Sequence, residues 1–430
     1  QSTAGSSRAV RMTAMATGTT LSLGVATSGD YFSSADVDSL FAGTTSGNLA
    51  NVTLAGTVHV GIDTTAGDFT YASSISGGAR GLVKTGTNKL TLSGINAYTG
   101  NTVVWGGSLD ITGKITGNGT TSTLAYGVGN SRGPTVVNVT GDLTLFAMTG
   151  ANATGSVSAY NQSSGTVSLT PATSGAQYVA TNGYSYFNLT GGTFKDSNRF
   201  ILSNGNAAVG VAYVGGTGVL DLSGGEWFIV NYYGGIAQLT VAAGGTVSRV
   251  NSTSSFGVFG IGTETGAGTS INVAGGSLDT GATGFKVGNG NSVNSTYALV
   301  NLAGGTLTVG GSFSNSGITS GTGNFFYTNF AGGTLKLNAA GITPTTSCGS
   351  PSITTPCIPG SYSLLGDVSC TACPAGSSCS DPSQAASPCA AGTFSNATGI
   401  EWILAILNRF FNRFHFNAVK VGLTHGSCRD

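Results

Sequence analysis

The stretch GLVKTGTNKLTLSGINAYTGNTVVWGGSLDITG, residues 81–113, alternates apolar and small polar residues in short bursts: Leu90 and Leu92, Val103 and Trp105, Leu109 and Ile111. Glycine or asparagine breaks each burst. Residues two apart share one side of a strand, so this pattern predicts short strands joined by tight turns, with no helix in this stretch.

A looser phrase extends the pattern downstream. The order Asn, apolar, Ser/Thr/Ala, Gly, Gly, Ser/Thr, apolar occupies 188–194, 272–278, 301–307 and 329–335, with weaker copies at 221–227 and around Gly244 and Gly245. The first glycines of these copies, Gly191, Gly224, Gly244, Gly275, Gly304 and Gly332, lie 20 to 33 residues apart. Recurrence on that scale is the mark of a solenoid in which each copy is one coil. Stacking the copies predicts an inward apolar column of Val58, Leu109, Val167, Phe194, Trp227, Val247, Leu278, Leu307 and Leu335. The next residue of each copy, His59, Asp110, Ser168, Lys195, Phe228, Ser248, Asp279, Thr308 or Lys336, then faces outward in a wall with no chemical theme. The Gly-Gly pairs suit corners where φ is positive or the next coil leaves no room for a Cβ. The Asn that opens each phrase is placed to form a side-chain ladder from coil to coil.

Residues 81–113 resemble the autotransporter-associated β-strand repeat of surface-exposed bacterial passenger domains. The resemblance is carried by Lys84-Thr85-Gly86, Leu90-Thr91-Leu92-Ser93-Gly94, Asn96, Tyr98-Thr99-Gly100, Thr102, Val104, Gly107 and Leu109, with Asn88 departing at a glycine position. It implies a right-handed parallel β-helix displayed outside a cell. The bacterial proteins that carry this repeat usually end in an outer-membrane barrel, and no run of barrel strands is expected after this solenoid.

Composition sets the broad class. The chain has 71 Gly in 430 residues, 40% apolar residues, only 7% charged residues and a formal net charge of zero. Disorder goes with high charge and few hydrophobics, so an ordered chain with a large core is expected. A neutral, charge-poor surface works against solubility and points to glycosylation, assembly, or both. No basic patch implies nucleic acid, and no segment is expected to span a membrane.

Cysteine is absent before Cys348, and seven follow from there to Cys428, marking a composition boundary near residues 341–346. Residues 358–399 resemble the ephrin-receptor-like cysteine-rich repeats of eukaryotic extracellular proteins, through Cys370-x2-Cys373-Pro374-Ala375-Gly376, Cys379, Cys389 and Gly392-Thr393-Phe394-Ser395. Such modules are held by disulfides because they have little core of their own. The resemblance and the even count lead to the expectation that Cys348, Cys357, Cys370, Cys373, Cys379 and Cys389 form three intrachain disulfides, with connectivity open. Cys428 remains as a free or intermolecular thiol. The competing zinc reading has one CxxC and no nearby His, so neither a metal nor any other cofactor is expected. A start at Gln1 fits a mature secreted chain whose leader has been removed.

Asn51, Asn118, Asn138, Asn152, Asn161, Asn188, Asn251, Asn294 and Asn396 each open an Asn-x-Ser/Thr sequon and are candidate glycosylation sites. Asn188 also sits in the repeat phrase, where a ladder role competes. Catalysis has little to stand on. Enzymatic β-helices need clustered carboxylates on one wall. Here 13 Asp, three Glu and three His are scattered with no repeated acidic column, and no GxSxG elbow stands between a strand and a helix. His59 reads as an exposed strand residue rather than a base, and Asp110 and Asp279 as ordinary wall positions. No catalytic residue is therefore assigned, and the chain is expected not to be an enzyme. The row Thr57, Ser108, Thr166, Thr193, Thr246, Ser277, Thr306 and Thr334 would be a hydroxyl ladder, but an ice-binding face needs a second Thr column where His59, Asp110, Lys195 and Asp279 sit.

The segment 400–416 is the one convincing helix in the sequence: Ile400, Ile403, Leu404, Leu407, Phe411 and Phe414 follow helical spacing. It is too short and too rich in arginine for a membrane span. Its stripe Ile403, Leu407, Phe411 and Phe414 is expected either to cap its own solenoid or to dock on a neighbour. The expected organisation is an N-terminal segment or cap at 1–45, an all-β right-handed parallel β-helix at 46–342, a small disulfide-rich module at 343–399, and an amphipathic helix and tail at 400–430. The expected role is that of an extracellular structural protein, a subunit of a surface fibre, sheath or hair-like appendage. A monomeric adhesin stalk and a carbohydrate-active β-helix are the alternatives. Its expected partners are further copies of itself, surface glycans and other cell-surface proteins.

Overall fold

A computed structural model describes residues 19–337, apart from internal stretches such as 50–57, 259–267, 288–296 and 315–324, together with four two-residue strands between Ser361 and Pro388. The sequence's short bursts become strands that stack in parallel, coil upon coil. Among the described residues the first stack has twelve strands: Thr20–Gly24, His59–Asp63, Leu82–Thr85, Thr102–Val104, Thr123–Tyr126, Ala147–Gly150, Ala176–Ala180, Arg199–Ser203, Phe228–Asn231, Phe256–Val258, Phe285–Val287 and Phe313–Ser314. These number coils 1 to 12. In coils 4 to 9 two further strands complete each turn. Coil 7, for example, continues through Tyr184–Leu189 into the second stack and Thr193–Asp196 into the third. In coils 10 and 11 one long strand, Gly268–Asp279 or Tyr297–Val309, runs through both the second and third stacks with a register shift at the corner. These continuous strands join the two stacks into one 19-stranded sheet. The fold is a parallel β-helix.

Alternation along each strand decides what is inside. Ile236–Ala242 alternates half-buried and buried positions, with Ala237, Leu239 and Val241 turned inward. Through coils 5 to 9 the core carries an aromatic spine. Tyr160 stacks on Phe187 at 5.2 Å, Phe187 meets Phe200 edge-on at 5.5 Å, and Phe200 meets Phe228 at 5.8 Å. Offset and edge contacts of this kind add to the stabilisation from burial alone.

The Gly-Gly corners behave as the phrase implies. Gly192 has φ 72°, and a Cβ there would collide with the carbonyl oxygen of Gly165 one coil below; Gly305, at φ 76°, stands in the same relation to Gly276.

The register corrects the expected inward column. Val167, Phe194, Val247, Leu278, Leu307 and Leu335 do share the third stack, but its coil 8 member is Leu220, paired with Phe194 and Val247. Trp227 lies half-buried outside the main core, while Phe228, expected outside, is fully buried in the first stack. Val58 and His59 belong to the first stack, and Leu109 pairs with Leu90 and Val137 in the second. The cause is physical: in coils 4 to 9 three strands each begin after a small-residue turn, so one local phrase cannot tell which side of the coil follows.

The N-terminal stretch holds a helix that sequence reading missed, Ser34–Ala42. Its signals were present. Ser33 donates to Asp36 Oδ2 through both its N–H and its hydroxyl, at 2.8 Å each, and Gly43 ends the helix at φ 69°. The apolar residues Val37, Leu40 and Phe41 follow at helical spacing. They join the main core, and Phe41 stacks on Tyr98 at 5.8 Å. A nine-residue helix forms here because this packing rewards it. Farther on, Ser361–Tyr362 pairs antiparallel with Thr371–Ala372, and Ser377–Ser378 with Ser387–Pro388.

Candidate functional site

The residues that carry the repeat resemblance prove to be architectural. Lys84 points inward, fully buried, and its Nζ donates to the carbonyls of Thr85, Gly86 and Gly106 at 2.8, 2.8 and 2.9 Å. Burial brings its pKa down to about 8, with the charges of Asp63 and Asp68 opposing. Asn96 is buried too and donates to the carbonyls of Gly94 and Lys114. Tyr98 shares a 2.5 Å hydrogen bond with the Thr102 hydroxyl. These polar groups tie one coil to the next, since a buried polar atom needs a partner.

Chemistry with the outside falls to the outward columns. On the second stack, Asp110, Asn138, Asn161 and Asn188 lie in register on successive coils. Asn138 Nδ2 donates to Asp110 Oδ1 at 2.7 Å, Asn161 Nδ2 to Asn138 Oδ1 at 2.9 Å, and Asn188 Nδ2 to Asn161 Oδ1 at 3.3 Å. Of the residues expected to form a ladder, Asn188 is a rung of this one, which otherwise runs through Asp110, Asn138 and Asn161 outside the repeat phrase; Asn138, Asn161 and Asn188 are candidate glycosylation sites. Each of their amide nitrogens already donates to the rung below. By contrast, Asn118 sits in a turn and accepts from the backbone N–H groups of Thr120 and Thr121 through Oδ1, and Asn152 is exposed in a loop.

The third stack's outward wall is mixed, as expected, with Ser168, Lys195, Asp221 and Ser248 in register and an ion pair of 3.4 Å between Lys195 Nζ and Asp221 Oδ2. Asp110 is not in this wall; it closes one end of the ladder on the second stack. The hydroxyl row is broken by Val219, between Thr193 and Thr246, and Ser108 lies on the second stack.

Three polar placements were not legible in the sequence. Arg249 is buried at a corner and donates to the carbonyls of Thr280 and Glu226 and to the Ser252 hydroxyl, with its pKa lowered to about 10 by burial. Asp196 is buried with Oδ1 accepting from the Asn198 N–H, and burial raises its pKa to about 7 against that bond. Arg199 bonds Glu226 at 2.6 Å and covers the Trp227 ring at 4.3 Å. His59 lines an open depression of about 420 Å³ with Thr99, Asn101, Thr121 and Phe146, and burial lowers its pKa. Among the described residues that line it there is no carboxylate.

Cys348, Cys357, Cys370, Cys373, Cys379, Cys389 and Cys428, the helix positions Ile403, Leu407, Phe411 and Phe414, and the sequons at Asn51, Asn251, Asn294 and Asn396 lie outside the described residues. Among the described residues no cluster of three or more His, Cys, Asp or Glu side chains is placed to hold a metal, and no helix is long and apolar enough to cross a membrane.

Residues 82–111 match the family model of the Passenger-associated-transport-repeat. The match runs from the first-stack strand of coil 3 to the second-stack strand of coil 4 and includes Lys84, Asn96 and Tyr98. No curated protein and no solved structure matches the chain. The chain thus carries an autotransporter-passenger-like β-repeat within a longer β-helix, which points to a β-helical protein of the cell surface.

Proposed function

We propose that this chain is an extracellular structural protein, a glycosylated β-helix subunit of a surface fibre, sheath or hair-like appendage, without enzymatic activity. The observation that carries the reading is the passenger-like repeat built into a twelve-coil solenoid whose motif residues serve coil stacking. A β-helix exposes unpaired strand edges at its ends, and the low charge of this chain gives little repulsion between copies. End-to-end contact through the last coils and the stripe Ile403, Leu407, Phe411 and Phe414 builds the polymer, with Cys428 as an intermolecular lock. Three disulfides among Cys348, Cys357, Cys370, Cys373, Cys379 and Cys389 hold the segment between solenoid and helix. Asn118 and Asn152 are the favoured glycan acceptors among the described sequons, because neither is a rung of the ladder.

Electron microscopy of the native protein tests this reading directly. Filaments should be seen with the full chain, and deletion of residues 400–430 should leave the β-helix folded while weakening assembly. Filaments unchanged by the deletion would move the contact elsewhere, and a full chain that is monomeric at every concentration would replace the fibre with the stalk.

A further inference from the structure

The outward face of the second stack carries no Asp, Glu, Lys or Arg from coil 5 to coil 11, a longer uncharged run than the strands of either other stack show. From coil 5 to coil 11 its outward positions fall in three columns. One begins with Val157, Tyr184, Val209 and Ile236, the next contains Tyr186, Val211 and Gln238, and the third is the amide row with Tyr213 and Thr240 between Asn188 and Asn272. No Asp, Glu, Lys or Arg occurs in the second-stack strands of these coils up to Leu302. Tyr184 is exposed, at 38%, and Tyr186, Val211 and Tyr213 are half-buried. Aliphatic and tyrosine side chains on a sheet face, rather than the Lys and Glu usual on a solvated wall, are the composition of an interface core.

We propose that this face docks on the same face of a second copy of the chain, pairing two solenoids side by side. Three features select that occupant. Side-chain ridges here repeat at the interval between coils, about 4.8 Å, and a second copy offers ridges and grooves at the same interval, so two such faces interdigitate over their whole length as paired sheets do. The absence of charge means that bringing the face against itself creates no like-charge contact, whereas a charged partner would find nothing to pair with. Seven coils rising about 4.8 Å each, across a strip about 15 Å wide, give about 500 Å² per copy, so a pair buries about 1,000 Å², the lower bound for a specific contact. A contact of that size is weak between isolated chains and adds up along a filament, where neighbouring subunits repeat it. This lateral contact deepens the fibre reading but is distinct from its end-to-end contact. It also requires Asn138, Asn161 and Asn188 to stay unglycosylated, in agreement with the amide bonds they already make.

The test uses the full chain. Sedimentation of the wild type, the double variant Tyr186→Glu with Val211→Glu, and the third-stack control Ser168→Glu should show concentration-dependent pairing that the double variant weakens at least tenfold and the control leaves unchanged. Circular dichroism confirms that each variant is folded. Should the double variant not fold, a photoreactive phenylalanine at position 186, close to tyrosine in shape, replaces it; illumination should capture peptides of residues 157–240 from a second copy. Equal pairing in all variants, capture confined to other parts of the chain, or a neutral linear glycan captured instead of a second copy would each overturn the proposal. The two readings separate under the electron microscope. Single filaments that never pair side by side would defeat the lateral face and leave the fibre standing, while discrete pairs with no filaments would keep the lateral face and defeat the fibre.

Discussion

The second and third stacks are neighbouring parts of one sheet, yet from coil 5 to coil 11 their outward faces diverge: the second is an uncharged strip of aliphatic residues, tyrosines and amides, and the third mixes Thr and Ser with Lys195, Asp221 and Asp279. Inside, the two are alike. Phe187 of the second stack and Phe194 of the third meet edge-on at 5.1 Å in the same core. The difference teaches that coil stacking dictates the inward half of each strand and leaves the outward half free to follow use.

The sharpest way to break this comparison is in the shared interior. Phe187→Ala and Phe194→Ala should each cost about 3–5 kcal/mol, because each leaves a cavity in a packed aromatic spine. Chemical denaturation followed by circular dichroism measures both, and a much smaller loss for either would show that the interior is not shared. Trp227→Ala, at a half-buried position against Arg199, should cost about 1 kcal/mol. A loss as large as that of Phe194→Ala would restore Trp227 to the core column.

The next effect depends on pH. Burial favours the protonated form of Asp196, so between the ordinary value of 3.8 and about 7 the folded chain holds a proton that the unfolded chain has released. Stability from this group is therefore present at low pH and lost as pH rises through that window. Asp196→Asn should raise stability at pH 8 by about 2 kcal/mol, and the gain should vanish near pH 4. Thermal melts of both proteins at the two pH values decide it, and a gain independent of pH would mean that the carboxylate is solvated after all.

Smaller effects test the outer faces. Asn161→Ala removes one rung and both of its amide bonds, and should cost about 1 kcal/mol. On the third stack, Lys195→Ala breaks an ion pair whose lysine is 56% exposed, and should cost less than about 0.5 kcal/mol, a difference that 1 M salt removes. If the lysine change proved the more damaging, the third stack would be the more ordered face and the contrast would be reversed. Glycopeptide mapping sharpens it further: glycans are expected on Asn118 or Asn152, and glycans on Asn138, Asn161 or Asn188 would show that the ladder forms differently.

Much of the β-helix was legible from local pattern. Alternation marked the strands, Gly-Gly pairs marked corners such as Gly192 and Gly305, and the opening Asn of the phrase marked one rung of the ladder, Asn188, while Asn138 and Asn161 lie outside the phrase. The helix Ser34–Ala42 was missed although Ser33, Asp36 and Gly43 signalled its ends, because nine residues surrounded by strand-like sequence give a weak periodic signal. The misplacement of Trp227 came from treating Ser223-Gly224-Gly225 as a copy of the corner, when Gly215-Gly216 fills that role in coil 8 and Leu220 follows it inward.

By itself the sequence determined the strand period, the turn positions, the solenoid class and the passenger-like repeat, all of which depend on residues close together in the chain. Only the tertiary structure decided which column each strand joins, that Lys84, Asp196 and Arg249 are buried, and that an uncharged strip runs along the second stack. Those features join residues 20 to 30 positions apart on successive coils, and the length of each turn varies enough that a local phrase cannot fix the side on which the next strand lands.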